Sequence, residues 1–247
     1  MQRSILNRYG VVAALVLVVA VNWLANWLPL GGFTTGEVSA LYESLFTPAG
    51  FTFAIWGVIY TGLLIYAVYQ VTPGQSDNAL LQAVGRLFII NCLLNCLWLF
   101  TWHFQMITAS LAVMATILIN LLLIYRLLHR QDEQVSAIVA LPFSIYLAWI
   151  CVAAIANFSA LQTAMNLNDA GLTAIEWTLV KMAVAGCIGA VAVLLWRDIA
   201  FIVVVGWAAY GISVKQAATP EVYGAAMLIV LLAAALIATA GVRRIIP

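Results

Sequence analysis

The stretch Phe46–Gln70 reads F-T-P-A-G-F-T-F-A-I-W-G-V-I-Y-T-G-L-L-I-Y-A-V-Y-Q. A polar connection ends at Thr47-Pro48, and an apolar run long enough for a helix follows. Phe53, Trp56 and Tyr60 recur at i, i+3 and i+7, so three rings share one helix face. Such a stripe either meets lipid and neighbouring helices or walls a pocket. Which it does depends on what the rest of the chain sets against it.

The rest of the chain is as apolar as this stretch. Of 247 residues 66% are hydrophobic and 8% charged, against about 25% charged in a soluble domain. That composition cannot cover a surface in water, so the chain reads as a polytopic membrane protein. A formal net charge of +1 offers nothing to a nucleic acid. Cys92, Cys96, Cys151 and Cys187 all lie in apolar runs and read as small packing residues. With two histidines and no His/Cys/carboxylate cluster at ligand spacing, no metal site is expected.

Eight apolar segments of near-spanning length can be drawn, at about 9–30, 51–71, 86–103, 106–126, 136–161, 174–196, 198–214 and 222–242. The first has a basic start but exceeds a signal-peptide core, and reads as a retained span. With eight spans and an internal N-terminus, eight of the ten basic residues, Arg130 among them, fall on the cytoplasmic side; only Lys181 and Lys215 do not. Both termini are then cytoplasmic, and the 31–50 connection, with Glu37 and Glu43 and no Lys or Arg, is external. That connection is long enough to act as a lid or as a fixed cap. The polar connection 162–173, with Asn166, Asn168 and Asp169, separates five helices from three. Residues 1–165 and 166–247 are therefore expected as two membrane segments.

Polar side chains inside a bilayer should face the bundle. Asn22 and Asn26, Asn91 and Asn95, Asn120 and Asn157 lie in the first five helices, interleaved with Trp23, Trp27, Trp56, Trp98, Trp102 and Trp149. These amides either bind helices together or serve a pocket, and tryptophans near helix ends also suit the interfacial belt. Aromatic walls with a few amide donors suit a planar, largely apolar ligand. No Ser/His/Asp or Cys/His set supports nucleophilic catalysis, and no acid or arginine inside helices 1–5 supports an ion cycle. Lys181 reads as a snorkelling residue or as a buried functional one. The spacing Ala183-x-x-Gly186-x-x-Gly189 permits close helix approach, including a homo-oligomeric surface, and is also ordinary for a membrane helix.

Three motifs over residues 9–162 resemble the TspO/MBR family, the tryptophan-rich sensory or translocator proteins. Pro48, Trp56 and Tyr60 stand at the distances of the family's second-helix proline, tryptophan and tyrosine. Leu94-Asn95-Cys96-Leu97-Trp98 matches its L-N-x-x-W. Trp149, Val152, Ala153, Ala156 and Asn157 fit its fifth-helix W-x-x-F-A-x-x-L-N, although Tyr146 is the better tryptophan equivalent by its spacing from Pro142-Phe143. The resemblance implies an all-α bundle: a TspO-like five-helix membrane domain followed by three extra helices. It implies a cavity that binds porphyrins and, in some members, sterols or synthetic ligands. It implies Trp56, Tyr60, Asn95, Trp98, Trp149 and Asn157 as ligand-binding residues, with Phe46, Pro48 and Phe53 at the lid. The expected function is binding of a tetrapyrrole, porphyrin or haem-type, or another planar hydrophobic ligand, for transport or sensing. No cofactor is required. The alternatives are photo-oxidative degradation of the porphyrin and transport of another hydrophobic metabolite. The expected setting is the bacterial inner membrane, with lipid and the small hydrophobic ligand as partners.

Overall fold

A computed structural model describes residues 3–129, 135–167 and 171–245 of the chain, so Arg130, Asn168 and Asp169 lie outside the described residues. Among the described residues nine α-helices follow one another and no strand occurs: α1 (Ile5–Trp27), α2 (Thr35–Leu41), α3 (Ile55–Gln70), α4 (Ala79–His103), α5 (Ile107–His129), α6 (Ala137–Ala164), α7 (Ala174–Trp196), α8 (Ile199–Lys215) and α9 (Pro220–Ile245). A 3-10 turn, Gly50–Ala54, runs directly into α3. Seven of these segments are long and apolar enough to cross a membrane. At 17 residues α8 is the short one, about 26 Å against the ~30 Å of a bilayer core. The protein is a polytopic helical membrane bundle.

Caps explain where the helices begin. Asn78 accepts a hydrogen bond from the Leu81 amide, so α4 starts well before the apolar run that announced it, and Arg86 lies inside the helix. Thr173 and Glu176 form a reciprocal capping box at the start of α7. Asp198 caps α8, and Arg197, in the left-handed region at φ 54°, turns the chain between α7 and α8. Proline opens α9, where its missing N–H costs nothing. The 31–50 connection is not structureless: Thr34 and Glu37 cap the short α2.

The helices cluster into two compact units that interleave along the chain. The first comprises Met1–Val38 and Ile55–Leu147, the second Ser39–Ala54 and Ala148–Pro247. The change of unit therefore falls inside α6.

In the first unit, Tyr66, Phe88 and Phe143 form an edge-to-face cluster with centroids 5.0–5.6 Å apart. Pro142, inside α6, seats against Gly62 of α3, where a Cβ would stand 3.2 Å from the proline ring. One end of the unit is tied by Arg3. It is 2% exposed and donates to the Gln70 side chain at 2.7 Å, the Gln70 carbonyl at 2.9 Å, Asn7 at 3.0 Å and the Leu81 carbonyl at 3.2 Å. At the other end, the ring of buried His103 meets Thr35 Oγ1 at 2.9 Å and the Leu30 carbonyl at 3.3 Å. Gly31 makes that approach possible: its φ is 66°, and a Cβ there would lie 2.7 Å from the His103 carbonyl oxygen.

In the second unit, α7, α8 and α9 pack through small residues. A Cβ on Gly189 would fall 2.6 Å from Ile202, and one on Gly206 3.1 Å from Ala233. The Gly186–Gly189 stripe of α7 thus receives helices of its own chain. Residues 48–52 dock on α8: the Ala49 amide donates to the Gly211 carbonyl at 3.0 Å, and Trp207 Nε1 donates to the Thr52 carbonyl at 2.9 Å. Gly211 faces Thr52 Oγ1 so closely that no Cβ fits between them. Lys215 and Glu43 pair at 2.9 Å, which puts the end of α8 and the connection before α3 at one end of this unit. The eight-span threading requires the same.

Candidate functional site

The first unit carries an open groove of about 490 Å³ between α1 and α3, lined by Val19, Asn22, Trp23, Asn26 and Trp27 on one side and Trp56 and Tyr60 on the other. Its walls follow from helical spacing. Trp23 and Trp27 are four residues apart and stack at 4.9 Å with 17° between planes. Trp56 and Tyr60 repeat the arrangement at 5.5 Å and 24°. Two stacked aromatic pairs therefore wall the groove, and the amides of Asn22 and Asn26 lie on the α1 side.

A polar chain backs this wall. Asn22 donates to Asn95 Oδ1 at 3.1 Å, and Asn95 Nδ2 donates to the Tyr146 hydroxyl at 3.1 Å. Tyr146 is 3% exposed, and its ring stands edge-on to Trp56 at 5.9 Å. Asn95 therefore acts behind the groove, holding Asn22 and, through Tyr146, steadying Trp56. The Tyr60 hydroxyl is buried beside the Asn22 amide but completes no hydrogen bond among the described residues. Asn26 Oδ1 accepts from the Thr35 amide at 3.2 Å, which ties the segment before α2 to the groove wall. Asn91 and Asn120, by contrast, pair with each other at 3.1 Å, and both are buried. They join α4 to α5 and have no part in the groove.

The residues expected at the site divide accordingly. Trp56 and Tyr60 line the groove, and Asn95 supports it. Trp98 belongs to a third stacked pair, with Trp102 at 5.6 Å; the Trp102 indole donates to the Thr35 carbonyl at 3.2 Å. Trp149 and Asn157 are in the second unit, where both are buried, and Trp149 meets Phe53 edge-on at 5.8 Å. The lid residues Phe46, Pro48 and Phe53 are in that unit too. Phe46 is 1% exposed and lines a cavity of about 10 Å³ with Val152 and Met182, so it is a core residue. Four groove residues, Asn22, Trp23, Asn26 and Trp27, show in the sequence only as an i, i+4 pattern at a helix end, which equally suits the interfacial belt. No group of His, Cys, Asp and Glu able to hold a metal occurs among the described residues.

Fold and groove together define an integral membrane helical bundle whose first unit is built around an aromatic-walled cleft. The chain belongs to the TSPO-like protein family, which it matches over residues 8–240. The match runs on past residue 162, where the sequence motifs end, so α7 and α8 and most of α9 lie within it. No curated protein and no solved structure matches the chain.

Proposed function

We propose that this TspO-type membrane protein binds a tetrapyrrole, or a ligand of similar planar and apolar character, in the α1–α3 groove, and that binding serves transport or sensing. The observation that carries this reading is the groove itself. Two stacked aromatic pairs offer flat faces, while Asn22 and Asn26 offer polar contacts at the edge. Membership of the TSPO-like family supports the same reading. The setting proposed is the bacterial inner membrane with both termini cytoplasmic.

The test is titration of protoporphyrin into purified protein, followed by porphyrin absorbance. Trp56→Ala removes half of one stacked pair and should weaken binding about tenfold. Asn91→Ala, away from the groove, should leave affinity unchanged. Equal affinity in wild type and Trp56→Ala would overturn the assignment. Illumination of the bound porphyrin separates binding from degradation: a protein-dependent product marks an enzyme.

A further inference from the structure

Lys181 is the eighth residue of α7, roughly 10 Å along the helix from its start, and only 8% exposed. Its ammonium lies 5.8 Å from the centroid of the Phe158 ring, at the outer limit of a cation–π contact. It makes no hydrogen bond or ion pair among the described residues. The described acids of the second unit are committed to other tasks or lie at helix starts. Glu43 pairs with Lys215, Glu176 with Thr173, and Asp198 with the Phe201 amide, while Glu221 opens α9. A cation inside a membrane helix without a counter-charge is expensive to hold and marks a functional position.

A second donor stands on the same face. Trp177 is four residues earlier, and its Nε1 is buried with no acceptor. Buried indole N–H groups ordinarily find a partner. Two donors one turn apart, one of them cationic, therefore lack an oxygen to receive them.

Snorkelling does not account for this arrangement. The ammonium lies over the ring of Phe158, which is six residues, about 9 Å, from the end of α6. The cavity beside Met182 is apolar and about 10 Å³, room for about one water. Phe158, at 39% exposure, and Val180 and Val184, at 46% and 45%, border the lipid face instead. The missing acceptor therefore comes from the bilayer, on a molecule with an apolar tail. A phospholipid phosphate is anchored at headgroup level, above this depth, whereas a fatty-acid head can sink to it. A carboxylate also has two oxygens, one for the ammonium and one for the indole N–H.

We propose that α7 carries a ligand site separate from the groove, in which Lys181 and Trp177 bind the carboxylate of a long-chain amphiphile drawn from the bilayer. The test is equilibrium binding of radiolabelled palmitate to the full chain in phosphatidylcholine nanodiscs. The expected result is one saturable site. Lys181→Met should weaken it tenfold or more, Trp177→Phe severalfold, and Lys181→Arg least of the three. Hexadecanol should compete poorly. Equal binding by wild type and Lys181→Met overturns the site, as does competition by hexadecanol on a par with palmitate. Displacement of palmitate by phosphatidylglycerol at equal concentration overturns the choice of a carboxylate. Thermal unfolding of the same variants guards against a packing role: Lys181→Met should melt no lower than wild type, because it removes an unpaired charge. A lower melting point with unchanged palmitate binding makes Lys181 structural. Porphyrin affinity should not change with Lys181→Met, so this test stands apart from that of the groove.

Discussion

The first unit joins its helices through polar side-chain links as well as glycine contacts; the second relies largely on glycine contacts. In the first, Asn22–Asn95–Tyr146 and Asn91–Asn120 link helices amide to amide or amide to hydroxyl, and Arg3 gathers five acceptors at one end. In the second, Gly189, Gly206 and Gly211 let helices and loop approach until backbone meets side chain, while the donors of Lys181 and Trp177 have no acceptor among the described residues. Lipid is as apolar as the side chains it touches, so burial alone does little to hold membrane helices together. Polar links and close packing are the two remedies; the first unit uses both, and the second relies mainly on close packing. Polar links leave carboxamides at hand to edge a groove. Close packing leaves little interior space, and the cavity beside Met182 is apolar and only about 10 Å³.

Gly211→Ala should be the most damaging single change. Its Cβ would collide with Thr52 Oγ1 and come within 3.1 Å of Pro48, and the expected loss is about 3 kcal/mol, read by thermal unfolding in detergent. Adding Thr52→Ala should recover part of that loss. If Gly211→Ala melts like wild type, close packing is not what holds the second unit. Asn95→Leu should cost about 1–2 kcal/mol, because it deprives both Asn22 and Tyr146 of a partner. It should also weaken porphyrin binding although Asn95 does not line the groove. A stability loss with unchanged porphyrin affinity would reduce the amide chain to glue.

The smallest expected effect is at Glu37. Its hydrogen bonds from Thr34 hold the carboxyl below its ordinary value. A carboxylate lowered in this way supports the fold above its ordinary pKa and loses that support as pH falls through the lowered value. As pH falls through that lowered value, the protection of the Thr34 amide, measured as its exchange rate against that of an unstructured amide at the same pH, should therefore fall. Glu37→Gln should show the lower protection already at neutral pH.

The helices were legible because a run of about 20 apolar residues is rare outside a membrane span. Their starts were less so: the beginning of α4 depends on the Asn78 cap, ahead of the apolar run. Trp56 and Tyr60 stood out by spacing, but the opposite wall did not. In a bilayer both the protein-facing and lipid-facing sides of a helix are apolar, so periodicity does not say that Trp23 and Trp27 face α3. For the fifth long helix the motif left Tyr146 and Trp149 as alternatives, and it is Tyr146 that meets both Trp56 and Asn95. The interleaving of the two units was not legible at all, since it depends on contacts between residues far apart in the chain.

That interleaving also has a timetable. The Thr52 carbonyl is made 155 residues before the Trp207 indole that donates to it. At about 5–20 residues per second of synthesis, residues 48–52 wait roughly 8–30 s for α8 to arrive. During that interval α3 can enter the membrane while the turn preceding it has no surface to rest on. The second unit therefore begins early and cannot close until the chain is nearly complete.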